Sequence, residues 1–234
     1  MENSISKHTL LGIMAKYPEK GKVKTRLVPP LTPAQAAKLY EAVMLDTINT
    51  LDRMYFKKAI FYNPQKSQAY FKDITRPDWQ LFPQKGEDLG QRLANAFLKV
   101  KDHKFPVVII GSDSPALVPE YIIEAILLLY EGNDISLGPA EDGGFYLIGI
   151  KDVSSMLVKK IFSNIRWSTQ YAMEDVVNNI KKAGKKAAYT PEWFDLDTAE
   201  DLKKTVEWFN MHDEESFMNT RKSIFGEEIK KRYE

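Results

Sequence analysis

The sequence predicts a single-domain α/β fold with a mostly parallel, doubly wound sheet. Short runs of β-branched and other apolar residues alternate with longer amphipathic stretches, which is the pattern of strand–helix–strand units. One run, Val107–Ile110, has four consecutive apolar residues, as expected of a central strand that is covered on both faces. No repeat or linker divides the 234 residues. We therefore expect one main domain over 1–210 and a peripheral helix or tail over 211–234.

Seven segments are predicted as strands because they are short, mostly apolar and bounded by loop-forming residues. In chain order they are Thr9–Met14, Lys58–Tyr62, Trp79–Phe82, Val107–Ile110, Asp134–Leu137, Phe145–Ile150 and Lys186–Thr190. The fifth and sixth are joined through Asp142-Gly143-Gly144, and an Asp-Gly pair is common in hairpin turns.

Five segments with apolar residues at helical spacing are predicted as helices. They run from Thr32 to Leu51, from Asp88 to Lys101, from Pro119 to Gly132, from Tyr171 to Ala183 and from Thr198 to Phe209. Two of the starts carry capping boxes, Thr32 with Gln35 and Thr198 with Asp201, which fix the first turn through reciprocal hydrogen bonds.

The composition excludes several classes of protein. The chain has no cysteine, which excludes a thiol nucleophile and a cysteine-based zinc site, and with only three histidines a three-histidine metal site is not expected. Lys and Arg number 33 and Asp and Glu 32, so a net charge of +1 gives no overall field for nucleic acid or an anionic membrane. No apolar run approaches the ~20 residues of a membrane span. We expect a cytoplasmic protein without a targeting segment that binds neither nucleic acid nor membranes.

The loop after the first strand is the first candidate site. It carries five cations within eleven residues, and a glycine that lets a ligand approach the backbone. In order these residues are Lys16, Lys20, Gly21, Lys22, Lys24 and Arg26. Open α/β sheets bind ligands at the carboxyl ends of their strands, and Lys and Arg bind phosphate oxygens. The loop predicts a di- or triphosphate site, with a solvated basic loop as the alternative. A P-loop is excluded because Lys16 stands where its first glycine is required.

Two aspartates are candidate metal ligands. Asp113 follows the most apolar strand, where a carboxylate can hold a Mg²⁺ ion that completes its shell with phosphate and water oxygens. The alternative for Asp113 is a cap in a strand–helix turn. Asp197 precedes the last predicted helix, and its alternative is stabilisation of the helix dipole. Spacing alone does not connect the two aspartates.

The Glu141-Asp142-Gly143-Gly144 turn and Trp167 are weaker candidates. Paired glycines leave room for a sugar, although the same residues are ordinary in a hairpin. Trp167 either packs in the core or offers a flat face to a ring-shaped substrate.

Taken together, the motifs resemble one known family. They are Ala15-Lys16-Tyr17-Pro18 with Gly21, Lys24-Thr25-Arg26-Leu27, Asp88-Leu89-Gly90 with Arg92, Gly111-Ser112-Asp113-Ser114-Pro115, the segment from Gly138 to Leu147, Trp167-Ser168-Thr169, and the segment from Asp197 to Leu202. Their order resembles the radical-SAM/selenodomain-associated transferase family, type 1, of the nucleotide-diphospho-sugar transferase superfamily. The resemblance implies the glycosyltransferase A-type fold and a nucleotide-diphospho-sugar transferase-like domain over 1–210.

The resemblance also implies roles for single residues. Asp113 stands at the superfamily's divalent-metal aspartate, and Asp197 matches a second metal ligand of related sugar-nucleotide enzymes, so the implied cofactor is Mg²⁺ or Mn²⁺. A Lys-Thr-Arg segment like that of Lys24 and Arg26 lies near the phosphates in 2-phospholactate guanylyltransferases. The nucleotide- and phosphate-binding set is then Lys16, Gly21, Lys24, Arg26, Gly90 and Arg92. Asp142 or Glu141 is the implied base or orienting group for an acceptor hydroxyl, and the substrate-contacting set is Gly143, Gly144 and Trp167.

Three functions follow. The first is a glycosyltransferase that uses a nucleotide-diphospho-sugar and a small-molecule acceptor. The second is a nucleotidylyltransferase that joins a nucleoside triphosphate to a phosphorylated small molecule and releases pyrophosphate, which the many cations of the first loop favour. The third is a nucleotide-binding module without turnover. The sequence leaves the base, the sugar, the acceptor and the oligomeric state open.

Overall fold

The computed structural model describes residues 8–103, 105–212 and 217–226. Within them, seven strands form one sheet in the order β3-β2-β1-β4-β6-β5-β7. The strands are β1 (Leu10–Lys16), β2 (Lys57–Asn63), β3 (Gln80–Pro83), β4 (Val107–Gly111), β5 (Ile135–Pro139), β6 (Phe145–Ile150) and β7 (Ala187–Tyr189). β6 is antiparallel to both neighbours, and every other pair is parallel. The predicted α/β fold with a mostly parallel sheet is confirmed.

The described residues also form eight α-helices. They are α1 (Pro33–Asp52), α2 (Gln68–Ile74), α3 (Leu89–Val100), α4 (Pro119–Tyr130), α5 (Ser155–Ile161), α6 (Ala172–Lys182), α7 (Ala199–Met211) and α8 (Met218–Phe225). Among these residues, every helix is too short or too polar to span a bilayer.

The helices cover both faces of the sheet because the central strands are apolar on both. In β1, Leu11 and Ile13 pack with α1 and α4, whereas Leu10 faces the opposite core with α3, α5 and α6. The β4 run Val107–Ile110 is buried throughout, as its composition predicts. A third core joins α1, α7 and α8.

Both predicted capping boxes are confirmed. Thr32 accepts a hydrogen bond from the Gln35 amide at the start of α1, and Thr198 accepts one from the Asp201 amide at the start of α7. The predicted strands and helices lie within about two residues of the observed ones. Helices α2 and α5 were not predicted, because each has only seven residues and is too short to show a helical period. β1 continues to Lys16, so the basic loop begins at Tyr17 and Lys16 is the last residue of the strand.

The part of the predicted C-terminal segment that the structure describes is docked on the domain. The Asp46 carboxylate of α1 accepts hydrogen bonds from the backbone amides of Asn219 and Thr220 at the start of α8. Residues 213–216 and 227–234 of that segment lie outside the described residues. The boundary at residue 210 stays a prediction.

Candidate functional site

A cleft of about 610 Å³ lies where β1 and β4 end. Parallel neighbours end at the same edge of a sheet, and the antiparallel β6 begins there. The end of β1, the turn after β4, the β5–β6 hairpin and the segments before α6 and α7 therefore line one space. This is the edge where open α/β sheets bind ligands.

The loop after β1 directs Lys24 into the cleft. Val23 and Leu27 are buried and hold the loop against the domain. Lys24 lies between them with φ 48° and ψ 42°, a left-handed backbone conformation that residues other than glycine seldom adopt. It precedes a short 3₁₀ turn, Thr25–Leu27, and strained backbone of this kind occurs at functional sites.

The Lys24 ammonium lies between two carboxylates. Its Nζ is 2.7 Å from Asp113 Oδ1 and 2.7 Å from Asp197 Oδ1. Burial alone would lower the pKa of Lys24. The charges of the two aspartates raise it by more than burial lowers it, so the pKa of Lys24 lies above its ordinary value. The same ion pair lowers the pKa of Asp197, outweighing the burial that would raise it.

Tyr40 and Ser112 lie close to Lys24 and are joined by hydrogen bonds. The Tyr40 hydroxyl accepts a hydrogen bond from the Lys16 amide and shares another with Ser112 Oγ, both at 2.8 Å. The centroid of the Tyr40 ring lies 5.9 Å from Lys24 Nζ. These bonds tie the end of β1 to the turn after β4.

A direct contact explains why the two distant aspartates converge. The Leu196 amide donates to the Asp113 carbonyl at 3.0 Å, and Trp193 Nε1 donates to the Pro115 carbonyl at 2.9 Å. The segment before α7 is thereby attached to the turn after β4. Thr198 caps α7, which leaves the Asp197 carboxylate free to face Lys24.

A third carboxyl group, Asp195, lines the cleft and was not selected from the sequence. Ser114 Oγ donates to Asp195 Oδ1 at 2.6 Å. Burial, followed by the charge of Asp113, raises the pKa of Asp195 to about 7. The available signal was its position two residues before Asp197 in the same acidic segment.

The rest of the basic loop presents positive charge to the cleft. Lys16, Lys22 and Arg26 line it and are exposed. Among the described residues, none of the three forms an ion pair with a carboxylate. Gly21 is exposed in the same loop with φ 76°, which favours glycine, but it does not line the cleft.

The opposite end of the cleft is built on Trp167. The indole lies over Gly90, where a Cβ atom would be 2.5 Å from the indole nitrogen, so packing accounts for this glycine. Trp167 also packs against Phe145. Arg92 lines the same end, and its Nε donates to the Gly86 carbonyl at 3.0 Å.

An ion pair fixes the segment that carries Trp167. Arg166 makes two hydrogen bonds from its guanidinium to Asp175 of α6, at 2.9 and 2.7 Å. The residues after Arg166, through Gln170, line the cleft.

The two acidic residues of the β5–β6 hairpin, Glu141 and Asp142, have different surroundings. Asp142 lines the cleft, and its Oδ1 accepts a hydrogen bond from the Gly144 amide at 2.8 Å. Glu141 is outside the cleft lining and forms an ion pair with Lys204 of α7. Gly143 has φ 84°, and a Cβ atom there would collide with the Gln170 backbone, so only glycine fits.

The carboxylates fit a hard divalent cation that borrows ligands from its substrate. Asp113 and Asp197 reach one point, where both contact the same ammonium. Over residues 8–103, 105–212 and 217–226, no group of three or more acidic or histidine side chains is arranged as a metal cage. Two carboxylates suffice for Mg²⁺ when phosphate and water oxygens supply the remaining ligands.

Comparisons with known proteins agree with this fold. The bacterial family described as "Uncharacterized protein conserved in bacteria (DUF2064)" matches residues 47–169. A protein from Desulfovibrio desulfuricans G20, provisionally named a nucleotide-diphospho-sugar transferase, is 30% identical over 97% of this chain and 98% of its own, with a TM-score of 0.82. No curated protein matches the sequence.

More distant structures share the fold alone. A cytidylyltransferase from Leptospira borgpetersenii is 15% identical, with a TM-score of 0.56 over 93% of this chain and 94% of its own. The 4-diphosphocytidyl-2C-methyl-D-erythritol synthase from Anaerococcus prevotii is 9% identical, with a TM-score of 0.59 over 89% and 99%. The resemblance to the superfamily is confirmed, whereas the narrower radical-SAM/selenodomain family stays a prediction. The chain belongs to the bacterial DUF2064 family, within the nucleotide-diphospho-sugar transferase superfamily.

Proposed function

We propose that this protein is a divalent-metal-dependent glycosyltransferase whose donor is a nucleotide-diphospho-sugar. One observation carries the proposal: at the carboxyl ends of β1 and β4, exposed cations of the first loop face the Asp113–Lys24–Asp197 cluster across one cleft. A diphosphate matches this arrangement because its oxygens bind cations directly and bind carboxylates only through a metal. The order of motifs from Ala15 to Leu202 supports membership of the radical-SAM/selenodomain-associated type 1 family as part of the same proposal.

The donor would lie along the basic loop. Lys16, Lys24 and Arg26 would hold the phosphate oxygens, while Asp113 and Asp197 would hold Mg²⁺ or Mn²⁺. The metal neutralises the diphosphate and stabilises the negative charge on it as a leaving group. The protein's own contribution is to position the donor and to supply fixed positive charge where that negative charge develops.

The acceptor would lie toward Trp167 and the β5–β6 hairpin. The partly exposed indole offers an apolar face to a sugar or another ring. Asp142 is the proposed base or orienting group for the acceptor hydroxyl because its carboxylate lines the cleft. Glu141 is the weaker candidate because it pairs with Lys204.

Nucleotidylyl transfer is the second candidate. Four cations of the first loop, Lys16, Lys22, Lys24 and Arg26, line the same cleft as Asp113, and a nucleoside triphosphate carries more negative charge than a sugar diphosphate. The fold is compatible with this chemistry, because the cytidylyltransferase from Leptospira borgpetersenii shares it. In this reaction, the same side chains would hold the departing pyrophosphate.

Product analysis tests the proposal. The protein is incubated with Mn²⁺, panels of nucleotide sugars and nucleoside triphosphates, and mixed small-molecule acceptors, and its melting temperature is recorded with each nucleotide. Release of a nucleoside diphosphate supports glycosyl transfer, and release of pyrophosphate supports nucleotidylyl transfer. A thermal shift without product indicates a binding module. If no nucleotide shifts the melting temperature with or without Mn²⁺, the proposal is wrong.

A further inference from the structure

We propose that Lys24 is an exchangeable internal cation: its ammonium and the divalent metal compete for the same two carboxylates, so that the metal binds tightly only together with a nucleotide. When the metal takes Asp113 and Asp197, the displaced ammonium turns to the phosphates. The inference rests on the proposed function, since it concerns how that site is loaded.

Geometry is the first argument. Lys24 Nζ contacts Asp113 Oδ1 and Asp197 Oδ1 at 2.7 Å each, so it lies where a cation shared by both carboxylates would lie. The Lys24 side chain is 5% exposed, whereas the aspartate side chains are 49% and 45% exposed. A metal can therefore reach the carboxylates from the cleft, but it cannot take the oxygens that face Lys24 until the lysine moves.

Charge is the second argument. Two carboxylates beside one ammonium leave one negative charge, whereas two carboxylates beside a divalent cation are neutral. The exchange also releases one positive charge close to Lys16 and Arg26, which line the same cleft. A lysine has a flexible four-carbon stem, so its ammonium can turn toward a phosphate without movement of the backbone.

The number of ligands is the third argument. Within the part of the chain that the structure describes, no third acidic or histidine side chain completes a metal cage. Asp195, the nearest further carboxyl in the segment, accepts a hydrogen bond from Ser114. A metal at Asp113 and Asp197 would have to take its other ligands from water or from phosphates. A nucleotide supplies both those ligands and an alternative partner for Lys24.

Cooperativity follows from these three features. While the lysine is on the carboxylates the metal cannot take them, so the apparent affinity for free metal is the intrinsic affinity multiplied by the fraction of time that the lysine spends away from them. A nucleotide removes that competition, so it raises metal affinity, and by linkage the metal raises nucleotide affinity by the same factor.

The test measures Mn²⁺ binding by electron paramagnetic resonance, without any turnover. Lys24→Met removes the ammonium and its charge but keeps an unbranched, flexible side chain that is one heavy atom shorter. Lys22→Met is the matched control, because Lys22 lines the cleft in the same loop but contacts neither aspartate. Circular dichroism verifies folding, and Lys24→Gln replaces the methionine variant if that variant is unfolded. Each protein is titrated with Mn²⁺ alone and with Mn²⁺ plus a nucleoside diphosphate that binds the wild type.

We expect Lys24→Met to bind Mn²⁺ alone about tenfold or more tightly than the wild type, within the range of typical coupling energies. Lys22→Met should change this affinity less than about threefold, since it removes a charge that acts on the metal site only at a distance and is screened by salt. The nucleoside diphosphate should raise the Mn²⁺ affinity of the wild type about tenfold and that of Lys24→Met much less.

Two results would overturn the exchange while leaving the proposed function intact. One is equal affinity of Lys24→Met and wild type for Mn²⁺ alone. The other is an increase in Mn²⁺ affinity on nucleotide binding that is equal in the wild type and in the Lys24 variant, because the phosphate ligands alone would then account for the increase. If the wild type binds no nucleotide under any condition, the proposed function itself has failed.

Discussion

At the scale of single residues, the cleft depends on side chains that contact one another across long separations in sequence. Lys24 and Asp197 are 173 residues apart, yet their side chains are in contact. The sequence identified both residues, and Asp113, by their positions near predicted strand and helix ends. It could not predict the contact, because that depends on the hydrogen bond from Leu196 to Asp113.

We expect Asp113→Asn to weaken nucleotide binding in Mn²⁺ by about tenfold or more, equivalent to about 1.4 kcal/mol. The amide keeps the size of the side chain but removes the charge that a metal requires. Because Asp113 is half exposed and Lys24 keeps Asp197, the melting temperature should stay within about 4 °C of the wild type. Calorimetric titration and thermal denaturation measure the two effects.

Asp134→Asn is the control for this experiment. Asp134 forms an ion pair with Lys185 at 2.8 Å and does not line the cleft. The same substitution there should leave nucleotide affinity unchanged. Normal nucleotide affinity in Asp113→Asn would remove Asp113 from the site.

At the scale of elements, α6 holds the segment that forms one wall of the cleft. The Asp175 carboxylate of α6 accepts hydrogen bonds from the Arg166 guanidinium and from its backbone amide. These bonds lower the pKa of Asp175 from 3.8 to about 2. Trp167 follows directly, so the ion pair sets where the indole lies over Gly90.

The Arg166–Asp175 pair predicts a pH dependence of stability. A carboxylate whose pKa is lowered by folding stabilises the protein above its unfolded pKa, and that stability is lost as the pH falls toward the folded value. The wild type should therefore be more stable than Asp175→Asn at neutral pH, and the difference should shrink between pH 3.8 and about 2. Chemical denaturation over a pH series measures it.

Glu174→Gln serves as the comparison. Glu174 is the preceding residue, lies 3.8 Å from the same guanidinium and is more exposed than Asp175. Its substitution should give little difference at any pH. A gap between wild type and Asp175→Asn that stays constant down to low pH would show that the ion pair does not stabilise the fold.

Some elements could be predicted from local signals and others could not. The box of Thr32 and Gln35 fixes the start of α1 because its hydrogen bonds lie within one turn. α5 begins with a similar signal, since Ser154 accepts a hydrogen bond from the Leu157 amide, but the helix is only seven residues long. Such a helix is stabilised by tertiary packing, which a local pattern does not show.

At the scale of the whole molecule, the sheet brings the strand ends that line the cleft together, and α8 packs on α1. The order of strands places the ends of β1 and β4 side by side. The apolar run Val107–Ile110 predicted that β4 is a central, buried strand, but not that β1 is its neighbour. The docking of α8 on α1 through Asp46 was not predicted, because it joins residues more than 170 positions apart. The order of the motifs predicted the superfamily. The contact of Lys24 with both Asp113 and Asp197 is seen only in the structure.

The most direct test of the site is a crystal structure of the protein with Mn²⁺ and a nucleoside diphosphate, with data collected at the manganese absorption edge. We expect an anomalous peak within coordination distance of Asp113 and Asp197, phosphate oxygens completing the metal's shell, and the Lys24 ammonium on a phosphate. A nucleotide bound elsewhere, or bound in the cleft while Lys24 stays between the two carboxylates and the peak is absent, would contradict the account.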